Sequence, residues 1–463
     1  MKPLVRNVLC IAVLAMAGKL LAQPPQKVNP PDDRYKADIL VVVAHPDDEA
    51  FFTPYLARAI YDMHKRVAVI FTTHGGSGVN RFTQERGPAM ANEREIEARD
   101  ACARLGIQNV WFLDGKDTAS QNVLNSLSNW GHGENLERLV GLVRLTRPDV
   151  IFTHLPGVFI GENHGDHQAT GVLVVEAFDL AADRTFFPSQ LAGDMSHYES
   201  YLSNLQTWQP QKIYFGSDAN DSKQFDGSGP TYSIRELSPS QKKPYWRLAL
   251  DSAMAHRTQF PDDIDRLSKM SDAQLEKMMS DPSSAWWSEP LTLIFGKSYY
   301  ASKPTDDVFS HLNGGTITPV SAAETPSKAT SVALGGPWGY YDAFRKKYGL
   351  QNIQVADPAQ IGIKSGTTLS VPLTVRHDPK EPLEIEIKVE APAGWKISSG
   401  TGKLLLPAEA STNLRVEIET PQLSEAELKS DKPQQVKLKL AGDGLQDQEL
   451  VLNVLLRVRA LPQ

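Results

Sequence analysis

His45-Pro46-Asp47-Asp48-Glu49 places one imidazole and three carboxyl groups within five residues, and His164-Gly165-Asp166-His167 sets two imidazoles around a carboxyl. Such groups are costly to bury unless they pair or hold a metal. Each cluster also has a plain structural use. Asp-Asp-Glu ahead of a helix can cap it, and a histidine pair can sit in a solvated loop. Together they offer imidazole and carboxylate donors without cysteine, the hydrolytic zinc pattern of three protein ligands plus water. His74 and His154 stand nearby in the reading, as loop or supporting residues rather than ligands.

These clusters need a scaffold that brings them to one place. Ile39 to Ala44 is a continuous apolar run of the kind found in strands buried on both faces of a parallel sheet. Residues 51–64 have helical spacing, 66–72 are rich in β-formers, and 89–105 read as a charged helix ending at Gly106. Strand at 110–113, helix at 136–145 and strand at 150–153 continue the alternation. This rhythm predicts an α/β domain, a Rossmann-like parallel sheet with helices on both faces. Ligands of such sheets bind outside the carboxyl ends of the strands, so the loops after Ala44, Thr73, Asp114 and His154 should surround one crevice. Residues 185–345 are less regular, with short strands expected at 212–215 and 291–295, a helix at 245–256, and a Gly/Ser/Thr/Pro-rich loop over 312–337.

Several classes are excluded. The chain has 463 residues with 48 Lys+Arg against 55 Asp+Glu, a net charge of −7 that argues against nucleic acid as partner. Two cysteines rule out a disulfide framework or a Cys-rich zinc module. No G-x-G-x-x-G follows Ala44, against a dinucleotide oxidoreductase. No G-x-S-x-G elbow supports a serine hydrolase.

With the spacing in view, Ala44-His45-Pro46-Asp47-Asp48-Glu49 followed by His164-Gly165-Asp166-His167 resembles the PIG-L/LmbE-like family of zinc N-deacetylases, which act on N-acetylglucosamine-type groups. Thr72-Thr73-His74-Gly75-Gly76, Arg94 with Glu97, Leu113-Asp114-Gly115 and Ala255-His256-Arg257-Thr258-Gln259 also resemble family segments, and the resemblance covers roughly residues 37–300. It implies His45, Asp48 and His167 as ligands of Zn2+, Asp47 as general base, and His164 as oxyanion stabiliser or proton donor to the leaving amine. It also implies Arg94 and Asp114 as contacts to sugar hydroxyls. Asp166 would orient one of the imidazoles. Gly165 stands where many members carry proline, and Glu162 where some carry tyrosine. The expected substrate is an N-acetylated sugar or glycan. The rivals are a zinc amidase for a larger acyl or conjugated amide, and a non-catalytic sugar-binding protein that would not need the metal set.

The ends of the chain read differently. Lys2 and Arg6 followed by the apolar stretch 8–17 and small residues suggest a signal peptide over 1–22, hence export to a periplasmic or extracellular compartment. Residues 23–36 are a Pro-rich linker, 37–345 the deacetylase-like domain, and 354–463 a separate unit. Trp395 is the only aromatic after residue 350, and short aliphatic runs alternate with polar residues there. That pattern predicts an all-β sandwich, loosely resembling the NEW3-like module of some secreted glycosidases and suited to a spacer role. No window is long and apolar enough to span a membrane.

Overall fold

The computed structural model describes residues 32–118, 122–157, 164–192, 200–217, 225, 227–281, 285–312, 329–353, 355–424, 427–429, 432–442 and 448–457. The segment read as a signal peptide, most of the linker, Glu162 and most of the loop over 312–337 lie outside these residues.

The first unit is a six-stranded sheet. Its strands are β1 (Ile39–Val43), β2 (Val67–Thr73), β3 (Asn109–Gly115), β4 (Val150–His154), β5 (Lys212–Gly216) and β6 (Ile294–Ser298), arranged 3-2-1-4-5-6. All neighbours among β1–β5 pair in parallel, whereas β6 runs antiparallel to β5. The sheet is therefore mixed, not parallel throughout as the strand–helix rhythm implied. β6 follows a long irregular insertion instead of a simple helical crossover, so nothing forces the parallel sense, and an antiparallel edge on a parallel sheet is common.

Alternation along β1 shows why its apolar run is unbroken. Ile39, Val41 and Val43 enter one core with Phe52, Tyr55 and Leu56, while Leu40 and Val42 enter the opposite core with Leu139 and Val172. The helices covering the sheet include α1 (Thr53–Tyr61), α2 (Pro88–Arg104), α3 (Val123–Trp130), α4 (His132–Thr146), α5 (Gly165–Leu180) and α6 (Tyr245–Ala253). Proline opens α1 and α2, where its missing N–H costs nothing. Helices α7 (Pro261–Ser268) and α8 (Asp272–Met279) follow. Helix α5 lies against β4 so closely that a Cβ at Gly171 would collide with the His154 carbonyl, a contact only glycine permits. No helix of the described residues is long and apolar enough to cross a membrane.

The C-terminal region is strand-rich. Five strands run in the order Ala359–Lys364, Gln448–Arg457, Gln434–Gly442, Leu383–Glu390, Gly402–Leu406, and four in the order Lys396–Ser399, Ala410–Glu419, Thr368–His377, Thr330–Leu334. Their inward aliphatics, among them Val371, Val416, Val436 and Val454, share one core. The strand Thr330–Leu334 falls inside the range 37–345 that the sequence assigned to the first domain. Its register instead sets Leu334 opposite Leu373 and Thr330 opposite His377. The chain then returns through α9 (Gly336–Lys347), which buries Tyr341 and Phe344 in one core of the first sheet.

Candidate metal centre and active site

The crevice forms at the carboxyl ends of β1, β2, β4 and β5. His45 and Asp48 follow β1, His154 is the last residue of β4, and His164 caps the amino terminus of α5, placing His167 in its first turn. All four histidines are buried. The His45 backbone N–H donates to Asp48 Oδ2 at 2.6 Å, and the same oxygen lies 3.2 Å from His45 Nδ1 and 3.2 Å from His154 Nε2. Asp48 Oδ1 is 3.3 Å from His167 Nε2. Donors held at about 2.0–2.1 Å on a tetrahedral zinc lie roughly 3.3 Å apart, so these separations suit a shared ion. Among the described residues three sets of donors converge closely enough for a metal: His45, His164 and His167; Asp48, His154 and His167; and His45, Asp117 and Asp166. The sequence-derived trio His45, Asp48 and His167 draws on the first two.

Asp47 is the strained member. Its φ of 131° lies in the region that favours glycine, and its side chain makes no capping bond to the helical turn that follows. Such a conformation costs about 1–3 kcal/mol and persists only when neighbours hold it. Arg94 Nη2 donates to Asp47 Oδ1 at 2.7 Å, and Nη1 to the Gly75 carbonyl at 3.3 Å. Gly75 has φ of +70°, and a Cβ there would meet the guanidinium. From the other side Glu49 Oε2 accepts the Asp47 N–H at 3.1 Å, while Glu49 Oε1 and His256 Nε2 are 2.6 Å apart. Burial pushes the Asp47 carboxyl up to about 6, with Arg94 pulling it down and Asp48 adding to the rise. Burial works in the same sense on Asp48, yet His167, His45 and His154 hold it well below the usual carboxylate range.

His164 stands beside His167 with ring centroids 4.2 Å apart. Its Nδ1 accepts the Asp166 N–H at 3.4 Å, so in the neutral ring the hydrogen sits on Nε2. Burial, then His167 and His45, push this imidazole well below its ordinary value. Asp166 Oδ2 faces His45 Nε2 at 3.5 Å and accepts the Thr118 N–H at 2.7 Å.

The structure thus gathers His45, Asp47, Asp48, His164, Asp166 and His167. Arg94 joins them as the buried partner of Asp47. Asp114 does not: its side chain is 81% exposed and bonds Arg138 at 2.6 Å. His74 stays on that flank, 3.4 Å from Glu95. Sequence reasoning gave His154 only a supporting place, although it stacks on His167 at 4.0 Å and meets Asp48 directly. The signal was its position as the last residue of a buried strand. Asp117 and the Glu49–His256 pair were not singled out. A cavity of about 360 Å³ opens from Asp47, Asp48 and His154 toward Phe51, Phe260 and Trp286.

The fold thus sets a buried His/Asp cluster able to hold a metal at the carboxyl edge of a mixed α/β sheet. Residues 40–178 match the family model described as PIG-L: GlcNAc-PI de-N-acetylase. Over 188 residues the chain is 27% identical to a 1D-myo-inositol 2-acetamido-2-deoxy-alpha-D-glucopyranoside deacetylase of Catenulispora acidiphila, covering 37% of this chain and 58% of that protein. It is 24% identical over 246 residues to the diacetylchitobiose deacetylase of Thermococcus kodakarensis, covering 53% and 78%. The chain thus spans less than two thirds of the first of these relatives. Among solved structures it is similar to N,N'-diacetylchitobiose deacetylase from Pyrococcus horikoshii, at 21% identity and TM-score 0.38, covering 56% of this chain and 84% of that one.

Proposed function

We propose that this protein is an exported, zinc-dependent hydrolase that removes the N-acetyl group from an N-acetylglucosamine-type sugar or glycan. The observation that carries the reading is Asp47, clamped between Arg94 and Glu49 beside a convergent donor set, within a segment that matches a de-N-acetylase family. His45, Asp48 and His167 would hold the zinc, which when bound polarises an amide carbonyl and acidifies water.

The chain's own residues supply the rest. Asp47 takes the proton of the attacking water, a task suited to a carboxylate fixed next to the ligands. Arg94 keeps Asp47 in place. His164, with the hydrogen on Nε2, steadies the developing oxyanion or hands a proton to the leaving nitrogen, which could not depart as an anion. Asp166 holds the His45 ring. Asp114 and Arg138 form a polar rim for sugar hydroxyls. The C-terminal region is read as a β-sandwich spacer of NEW3-like kind.

The test is free acetate released from N-acetylated mono- and oligosaccharides by the zinc-loaded full chain. Release from any member supports the reading, and none from the whole panel overturns it.

A further inference from the structure

The two flanks of the crevice differ in chemistry. In the strand order 3-2-1-4-5-6, the β2–β3 side carries His74, Glu95, Asp114 and Arg138, an exposed or half-exposed polar rim. The β4–β5 side opens into the cavity, whose wall is aromatic. Phe260 and Trp286 lie 5.8 Å apart, Trp286 and Trp287 6.0 Å, and Phe51 projects from the turn directly after Asp48. Two polar groups of this wall have partners of their own. Trp287 Nε1 donates to the Ala50 carbonyl at 2.7 Å, and Asp263 bonds Arg266 at 2.7 Å.

An amide lying across the end of β1 has two sides to place. A sugar carries hydroxyls, and a buried hydroxyl without a partner is penalised. It therefore belongs on the polar flank, which leaves the acyl side facing the aromatic wall. A cavity of about 360 Å³ is within the range of pockets for whole small ligands, and far exceeds what the methyl of an acetyl group fills.

We propose that this pocket receives the acyl group of the scissile amide, and that the protein prefers N-acyl amino sugars whose acyl chain is apolar and longer than acetyl, or aryl-bearing. The inference rests on the reading that the site hydrolyses an N-acyl amino sugar. Water adds its oxygen to the acyl carbon and the C–N bond breaks. The products are the carboxylate, seated among Phe51, Phe260 and Trp286, and the amine, which takes up a proton.

The experiment measures free glucosamine released by the zinc-loaded full chain from N-acetyl, N-butanoyl, N-hexanoyl and N-phenylacetyl glucosamine. A methylene accepted by an apolar pocket is worth about tenfold or more, so kcat/KM for the hexanoyl or phenylacetyl substrate should exceed that for acetyl by at least about tenfold. Trp286→Ala, and separately Phe260→Ala, should reduce that ratio toward one. Circular dichroism and zinc content establish that each variant is folded. Titration calorimetry gives a readout without turnover: phenylacetate should bind the parent more tightly than acetate does, and Trp286→Ala should lose the difference. Acetyl hydrolysed as fast as or faster than the longer acyl groups overturns the pocket assignment while leaving the deacetylase reading intact. A Trp286 effect confined to chito-oligosaccharides also overturns it, assigning the wall to a second sugar ring. No glucosamine from any substrate overturns the reading beneath it.

Discussion

Glu49 and His256 are a buried pair, each at most 2% exposed, and they brace the backbone of Asp47. Full charges 2.6 Å apart attract by about 6 kcal/mol at an effective dielectric near 20, and desolvation takes back half or more. A coupling of about 2–3 kcal/mol is expected, within the range measured for contacting residues. Glu49→Ala strands the imidazole and frees the Asp47 N–H; His256→Ala strands the carboxylate. Either change alone should destabilise by about 3–5 kcal/mol, and the double substitution should cost clearly less than the sum. Burial opposes protonation of His256, but Glu49 and Asp47 raise its pKa above the ordinary value. A raised histidine contributes stability that is complete below its unfolded value of about 6.5 and is lost as pH rises through the folded value. The coupling should therefore be larger at pH 6 than at pH 9. Urea unfolding of the four metal-free proteins, followed by tryptophan fluorescence, measures it. Trp246 and Trp287 sit in the same core as these residues' elements and report on this domain. Single effects that add within about 0.5 kcal/mol, or a coupling that grows with pH, would refute the reasoning.

Two further outcomes follow from the site and its surroundings. His45→Ala, Asp48→Ala and His167→Ala should each lower zinc occupancy measured by elemental analysis, whereas Asp47→Ala should keep the metal and lose about 10²–10⁴-fold in turnover; the reverse pattern for Asp47 and Asp48 would exchange their roles. Cys102 is buried, and burial with Glu49 nearby pushes its thiol well above the usual range. Iodoacetamide at pH 8 should leave the Cys102 peptide unmodified in the native protein and label it in denaturant, and rapid native labelling would contradict this packing.

What could be read from the sequence divides along a physical line. Strands buried on both faces announce themselves as unbroken apolar runs, so residues 39–44, 66–72 and 150–153 lie within a residue or so of β1, β2 and β4. After residue 365 the alternating runs fall on strands with one face in and one out, Thr368–His377, Leu383–Glu390, Ala410–Glu419, Gln434–Gly442 and Gln448–Arg457, whereas the short strands Lys396–Ser399 and Gly402–Leu406 left no such mark. Helix α5 was not legible. Gly165 through Val175 are all buried, so no polar stripe of period 3.6 exists to mark a helix. His164-Gly165-Asp166-His167 consequently looked like a loop, when it is a cap and a first turn. The capping use open to the Asp-Asp-Glu run is not taken up by Asp47, because Arg94 and Glu49, one of them 47 residues away, hold it elsewhere. The aromatic wall was equally hidden, since Phe51 and Trp286 are brought together only by the fold.

The path of the chain around α9 bears on how the protein is made. Thr330–Leu334 hydrogen-bonds to a strand that begins at Thr368, and between them the chain goes back to seat Tyr341 and Phe344 on the first sheet's core. During synthesis from the amino end, the first strand of the later unit emerges before its partner exists. Helix α9 can dock at once, because the core it completes has already been translated. The nascent chain is thereby moored close to where the missing strand will arrive, which shortens the search for it and limits the time a bare strand edge is exposed to other chains. Grafting the C-terminal unit onto another protein as residues 354–463 would omit both the edge strand and its mooring.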